Sequence, residues 1–332
     1  MKRISILHGG GYVGRELIRL VLQHPLAMLE HVTSRTYADQ PLHVAHPMLR
    51  GHSNLLFTDP DSLDLSNVDA ALVAAEHRRG ALTVAELVGR EFSGPIVDLS
   101  ADFRYEDLDV YETLFETKHP ARHLSDSFTY GVPEIFSPYT TRRIANPGCF
   151  ATGLLLAVWP LNQHIGAFRA AVTAITGASG SGTRPKSTTH FPEREGNVRA
   201  YKVLNHQHLP EVTQFLNRDT DIAMVPASGP WTRGIWGTVH VNSDADEAMV
   251  GEWFDQAYGK TACVRLWPGQ LPELRFAALT PYCDVGWILR DGHLVIGFAL
   301  DNLLKGAASQ AIQNLNLLLN WPETTGLLPP VE

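Results

Sequence analysis

The chain has 332 residues, more than one hydrophobic core usually serves, and so predicts two domains. Apolar residues make up 44% and charged residues 19%, the balance of a soluble globular protein rather than a disordered one. A net charge of −8 argues against a nucleic-acid surface, which needs excess Lys and Arg to neutralise phosphates. Cys149, Cys263 and Cys283 are too widely spaced for a disulfide framework or a CxxC metal site, and a reducing cytoplasm fits them. The apolar start ends at His8 and three glycines, too soon for a signal peptide, and no stretch is long enough for a membrane-spanning helix.

Residues 4–7 form a short apolar run typical of a buried parallel strand. Gly9-Gly10-Gly11-Tyr12-Val13-Gly14 follows, then a helical periodicity over residues 15–22. Strand, Gly-x-Gly-x-x-Gly and helix in that order suit a dinucleotide: Gly9 for the tight turn, Gly11 for the approach of the pyrophosphate, Gly14 for helix–sheet packing. The same glycines also fit a βα turn that binds nothing. A second strand at residues 29–33 ends in Ser34-Arg35. An NAD site usually carries an acidic residue there; a hydroxyl and a guanidinium suit a 2′-phosphate instead, which favours NADP(H).

Further short strands at residues 70–75 and 95–99, with a helical stretch at 82–88 between them, predict a doubly wound parallel α/β domain of Rossmann type. It is placed at residues 1–148 and is completed by a C-terminal helix within residues 307–332. Residues 149–306 are expected to form a second, α+β domain for catalysis and oligomerisation, with strands at 170–176, 222–226, 236–241 and 294–300.

The turn Asn146-Pro147-Gly148-Cys149 runs straight into an apolar stretch. A cysteine at the mouth of a buried helix faces the positive end of the helix dipole, a setting that favours the thiolate and offers N–H groups to an oxyanion. A buried structural cysteine is the plain alternative. Residues 177–208 lack core material and carry hydroxyls with Arg184, Lys186, Arg194, Arg199 and Lys202, a set that suits a phosphate or carboxylate or simply a solvated loop. His206-Gln207-His208 then opens a helix with Pro210 in its first turn, where a histidine can act as acid/base or only as a cap. No histidine shows metal-ligand spacing.

Taken together these segments resemble the N-acetyl-γ-glutamyl-phosphate reductase family and its relatives, the carrier-protein-linked α-aminoadipate/glutamate phosphate reductases of lysine biosynthesis. The resemblance runs nearly end to end: Gly11-Tyr12-Val13-Gly14, Thr33-Ser34-Arg35, residues 46–51, residues 98–104, Tyr130-Gly131-Val132-Pro133-Glu134, Asn146-Pro147-Gly148-Cys149, the loop from Gly177, His206 to Glu211, Arg233-Gly234-Ile235 and residues 301–307. It implies NADPH-dependent reduction of an acyl phosphate to a semialdehyde through a Cys149 thioester, in arginine- or lysine-type biosynthesis. It implies His208 or His206 as acid/base, with the choice open between them. Gly9, Gly11, Tyr12, Val13, Gly14, Ser34, Arg35, Ser179, Gly180 and Asn302 would hold the cofactor. Arg104, Asn146, Ser181, Arg184, Arg199 and Glu211 would hold the substrate. No metal is implied. The resemblance implies a substrate that is a small acyl phosphate or one carried on an acidic amino-group carrier protein, and a homodimer or homotetramer. Departures are His8 in place of a usual glycine, Ala75-Glu76-His77-Arg78 in place of Leu-Pro-His-Gly, Gln207 in place of Arg, Pro281 in place of Asn and Ser309 in place of Gly. They keep two other readings in play: another thiol-dependent semialdehyde dehydrogenase, or a non-catalytic dinucleotide-binding scaffold.

Overall fold

The computed structural model describes residues 1–328, so the last four residues of the expected C-terminal segment lie outside it. The chain divides into two compact units, Met1–Pro147 closed by the segment from Ala307, and Gly148–Gly306.

The first unit is built on β1 (Lys2–Leu7), β2 (Ala27–Val32), β3 (Ala70–Val73), β4 (Ile96–Asp98), β5 (Thr129–Tyr130) and β6 (Arg143–Ala145) in the order β2-β1-β3-β4-β6-β5, every pair parallel. The central strands are apolar on both faces because helices cover both: Ile4, Ile6 and Leu7 are buried, as are all four residues of β3. The helix Tyr12–Gln23 buries Leu17, Ile18, Leu20 and Val21, the one-face stripe its periodicity predicts. The helix Ala308–Leu318 packs against it, and this return of the chain is fixed by polar contacts as well. Asn314 donates to the carbonyl of Gly131 at 2.9 Å and to Asn146 Oδ1 at 3.0 Å.

The second unit carries a mixed sheet of β7 (Arg169–Thr176), β8 (Arg199–Ala200), β9 (Asp221–Ser228), β10 (Ile235–Asn242), β11 (Val264–Pro268), β12 (Cys283–Arg290) and β13 (His293–Leu300), in the order β11-β12-β13-β10-β7-β9-β8. β12 and β13 join through Asp291-Gly292, both at positive φ (50° and 77°), the backbone that a two-residue hairpin needs. The helix Cys149–His164 lies on this sheet, and residues 150–158 are all buried, as befits a helix apolar all round. Gly153 lets it approach closely, since a Cβ there would stand 2.5 Å from the Phe298 ring.

β11, β12 and the helix Glu247–Tyr258 were not evident in the sequence. β12 contains Asp284, a fully buried carboxylate that reads as a loop residue until Arg265 on β11 is seen to meet it at 2.6 Å. The helix is signalled by Asp246, whose side chain caps Met249 N–H at 2.8 Å.

Candidate active site and nucleotide turn

Cys149 is the first residue of its helix, with Gly148 at the cap position and no side chain capping it. Gly148 N–H donates instead to Glu211 Oε1 at 2.7 Å. Glu211 is fully buried, and its other oxygen lies 4.0 Å from His208 Nε2. One carboxylate therefore ties the start of the cysteine helix to the imidazole. His208 opens the helix His208–Thr213, three residues before Glu211, which places both side chains on one face. Contact is close enough that a Cβ on Gly148 would stand 2.3 Å from His208 Nε2. Gly306 is similarly required, because its Cβ would meet Cys149 Cβ at 2.7 Å.

His206 differs from its neighbour. Its Nδ1 accepts the His208 backbone N–H at 3.2 Å, and its ring packs on Phe150 (5.3 Å) and Tyr201 (5.6 Å). Burial, with the charge of Lys202 second, pushes its pKa down to about 4, so the ring is neutral at physiological pH. Tyr201 was not among the expected site residues. Burial first and the Cys149 charge second raise its phenol pKa, which places it within electrostatic reach of the thiol. A lone Tyr in a polar loop carries no sequence signal of that kind.

Behind the thiol the loop after β13 is rigidly held. Asp301, fully buried, takes Arg233 in a two-point ion pair at 3.0 Å and accepts the N–H groups of Leu303 and Leu304. Asn302 accepts Gly234 N–H at 2.7 Å and exchanges hydrogen bonds with Ser179 at 3.0–3.3 Å, with Gly180 alongside. Ser181, Arg184 and Arg199 are exposed. Arg199 belongs to a cavity of about 650 Å³ that it lines with Lys186, His190, Glu193, Arg194 and Ser228. Arg194 donates to Ser228 Oγ at 2.6 Å and to the Gly229 carbonyl.

In the first unit the glycine turn has the geometry its spacing predicts. A Cβ on Gly14 would stand 2.3 Å from the Gly9 carbonyl oxygen, and one on Gly9 would stand 2.3 Å from the Val32 side chain. Gly11, the cap residue of the helix that Tyr12 and Val13 begin, has nothing within 4 Å of its Cβ position. The turn is thus tight underneath and open above uncapped N–H groups, a cradle that fits a pyrophosphate. At the end of β2, Ser34 is buried, donates its N–H to Thr58 O and accepts Tyr37 N–H through Oγ. Arg35 forms a two-point ion pair with Asp61 at 2.6 and 2.7 Å.

Arg104 and Asn146 also meet in this unit: Arg104 Nε donates to the Asn146 carbonyl at 2.8 Å, and both are buried. Nearby, Asp98 and Asp102 are two fully buried carboxylates. Asp102 accepts the N–H groups of Arg78 and Ala81 and the Tyr111 hydroxyl. Burial, then the charge of Asp102, raises the Asp98 pKa to about 7.

Among the described residues no group of His, Cys, Asp and Glu is disposed to hold a metal, and no helix is long and apolar enough to cross a membrane.

Residues 3–142 match the family described as semialdehyde dehydrogenase, NAD binding domain, and residues 149–302 match semialdehyde dehydrogenase, dimerisation domain. The fold is shared with aspartate semialdehyde dehydrogenase II of Vibrio cholerae, solved in complex with ASA (TM-score 0.74, 18% identity, 96% of this chain and 98% of that one). It is shared as well with aspartate semialdehyde dehydrogenase with NADP from Candida albicans (TM-score 0.64, 14% identity, 96% and 98%). Fold and sequence together define an oxidoreductase of the semialdehyde dehydrogenase class, with an NAD(P)-binding domain. Within that class the N-acetyl-gamma-glutamyl-phosphate reductases of Methanocaldococcus jannaschii and Methanopyrus kandleri are each 36% identical to this chain over 98% of both sequences, and that of Methanobrevibacter smithii is 34% identical over 98% of both. The chain belongs to the N-acetyl-gamma-glutamyl-phosphate reductase family.

Proposed function

We propose that the protein reduces a γ-glutamyl-type acyl phosphate to its semialdehyde, releasing phosphate, in arginine-type amino-acid biosynthesis in the cytoplasm. The observation that carries the reading is Glu211, whose carboxylate holds the Cys149 helix start at 2.7 Å and faces His208 at 4.0 Å. A structural cysteine has no use for a buried carboxylate that positions an imidazole beside it.

In this reading the Cys149 thiolate attacks the acyl carbon. The carbon–oxygen bond to phosphate breaks, phosphate leaves with its electron pair, and a thioester remains. Oxyanion charge is met by the N–H groups that open the helix Cys149–His164. NADPH, when bound, supplies the hydride that reduces the thioester to a thiohemiacetal. His208 first gives a proton to the developing alkoxide, then takes it back as the carbon–sulfur bond breaks, returning the thiolate and freeing the aldehyde. Glu211 supports the protonated imidazole and is a positioning residue; its complete burial leaves no surface for substrate. His206, neutral and packed between Phe150 and Tyr201, orients His208 through the backbone bond at 3.2 Å. The glycine turn with Tyr12 and Val13 cradles the pyrophosphate, and Ser34 and Arg35 face the adenosine ribose. Ser179, Gly180 and Asn302 form one hydrogen-bonded group, which we assign to the nicotinamide end. Arg104, Asn146 and Ser181 are assigned to the substrate.

One specific observation favours a carrier-linked substrate as a second reading. The cavity of about 650 Å³ presents Lys186, Arg194 and Arg199 against one carboxylate, Glu193, and exposed Arg184 precedes them on the same loop. That excess of cations suits an acidic carrier protein.

The test runs the reaction backwards: phosphate-dependent reduction of NADP by N-acetylglutamate semialdehyde, beside Cys149→Ala. Turnover that disappears in the variant supports the thioester reaction on the small substrate. Turnover that survives in Cys149→Ala would falsify it. Absence of turnover with the small substrate, and its appearance with a carrier-bound one, would replace the first reading by the second.

A further inference from the structure

Three loops meet at one end of the second sheet. Residues 177–181 follow β7, residues 229–234 join β9 to β10, and residues 301–306 follow β13. β7 runs parallel to β9, and β10 runs against both β7 and β13, which brings all three loops to the same end. The first two are joined through the backbone. Gly177, Ala178 and Ser179 donate N–H to the carbonyls of Gly234, Trp231 and Thr232, each at 2.9 Å.

The third loop is tied to the second by side chains. Asp301 is fully buried and uses both carboxylate oxygens. Its Oδ1 accepts Arg233 Nη2 at 3.0 Å and the N–H groups of Leu303 and Leu304 at 2.8 and 3.1 Å. Its Oδ2 accepts Arg233 Nε at 3.0 Å and Leu279 N–H at 2.8 Å. Its carbonyl accepts Gly306 N–H at 2.9 Å, which closes the turn 301–306. That turn ends against the thiol residue: a Cβ on Gly306 would stand 2.7 Å from Cys149 Cβ and 2.8 Å from the Asn302 carbonyl oxygen. Asn302 in turn accepts Gly234 N–H at 2.7 Å and bonds to Ser179. One short turn therefore carries Asn302 and backs Cys149, and the Arg233 fork fixes it to the neighbouring loop. A buried ion pair is weak evidence for stability, because desolvation of the two charges offsets their attraction. What a two-point fork supplies is geometry.

We infer that Arg233 and Asp301 are positioning residues for hydride transfer: their fork fixes Asn302, and with it the nicotinamide end of the cofactor, relative to Cys149. The inference rests on the thioester reading and on the assignment of Asn302 to the nicotinamide end. The thiol has its own support, since Glu211 holds the start of its helix through Gly148. The pair thus acts on the hydride step and leaves the thiol as it is. In the oxidising direction the thiohemiacetal carbon gives its hydride to NADP and its hydroxyl proton to the imidazole, leaving the thioester and NADPH. A shift of about 1 Å between donor and acceptor carbons can cost on the order of 100-fold in rate.

The experiment uses Arg233→Lys in the full-length protein, with folding checked by circular dichroism. Lysine keeps a positive charge beside Asp301 but, as a point donor, cannot hold both oxygens in one plane. Oxidation of N-acetylglutamate semialdehyde is followed with phosphate and saturating NADP, the aldehyde carrying hydrogen or deuterium. The pH dependence of Cys149 alkylation by iodoacetamide is measured beside it. Arg233→Lys should lower kcat about 10- to 100-fold and raise the deuterium isotope effect on kcat above that of wild type, as the hydride step becomes slower than the others. The alkylation profile should coincide with that of wild type. A kcat within about threefold of wild type would overturn the inference. So would a lower kcat with the isotope effect unchanged, or a displaced alkylation profile, which would place the effect on the thiol. If Arg233→Lys does not fold, the same readings are taken on Asp301→Asn; failure of both to fold would show the pair to be structural and overturn the inference as well. Wild type without turnover that depends on Cys149 would overturn the thioester reading itself.

Discussion

In the proposed reaction Glu211 positions His208 relative to the Cys149 helix start, and its effect is separable from that of the residues it holds. Glu211→Gln keeps the volume and the hydrogen bond to Gly148 but removes the charge beside the imidazole. We expect kcat to fall about 10- to 100-fold with KM within about threefold. Steady-state kinetics from pH 5.5 to 9 would check both. His206 makes a different prediction. Its pKa, about 4 when folded against an ordinary value of 6.5, means the unfolded chain binds the proton that the folded chain refuses between those pH values. Stability from this group is therefore complete above about pH 6.5 and is lost as pH falls towards 4, by on the order of 2–3 kcal/mol. Asp98 works in the opposite sense, since its folded pKa of about 7 lies above the ordinary carboxylate value and favours the folded state at low pH. The observable is accordingly the difference between wild type and His206→Asn in urea unfolding at pH 7.5 and 5.0, which should shrink on acidification. Equal differences at both pH values would show that His206 is not held neutral.

At the scale of elements, the proposed reaction rests on two helix starts, and in both a glycine keeps the first turn accessible. Gly148 has φ −70° and ψ 151°, which any residue adopts, so Gly148→Ala meets no backbone penalty. The new methyl would instead stand 2.3 Å from His208 Nε2 and push the imidazole aside. A folded protein with activity reduced about 100-fold or more is expected, within the range that misplaced catalytic groups cost. Activity within about threefold of wild type would show that His208 has room to move. At the other start, Gly14→Ala would set a methyl against the Gly9 carbonyl oxygen, a backbone atom that cannot yield cheaply. Loss of NADPH binding and a lower Tm together are expected, measured by fluorescence titration and thermal denaturation. The glycine turn was legible in sequence because the motif states its own geometry: strand, turn and helix are consecutive. Gly148 was legible only as part of a cysteine motif, because the side chain it accommodates lies 60 positions further on.

For the whole molecule, the second sheet exposes one face of β7 and β9. β7 and β9 alternate exposed and buried residues, and their registered neighbours Ala171 with Ala223 and Thr173 with Val225 form a small-residue stripe on the exposed face. His240 on β10 extends it beside Ala171. A flat face of small side chains suits packing against a second sheet. The match to a dimerisation domain over residues 149–302 agrees with that use. We predict a homo-oligomer in analytical ultracentrifugation and a shift to smaller species for Val225→Arg, which places a charge in the middle of the stripe. Wild type that sediments as a monomer would remove the basis for this surface.

The two-part architecture, the parallel sheet and the mixed sheet were readable in the sequence wherever a segment makes its own local statement. Apolar runs of four to six residues mark buried strands, and the period of two in β7 marks a sheet with one covered face. Cys149, His206, His208 and the glycine turn stand out as candidates in the same way, through short motifs with local geometry. What the tertiary structure decided was which of these groups lie together. It buried Glu211 under both Gly148 and His208, made His206 neutral, brought Tyr201 within reach of the thiol, and set Arg79 and His8 around one cleft with Arg35. None of these pairings is visible along the chain, because burial and Coulomb energy depend on distance in space, and residues tens of positions apart acquire that distance only when the sheets form.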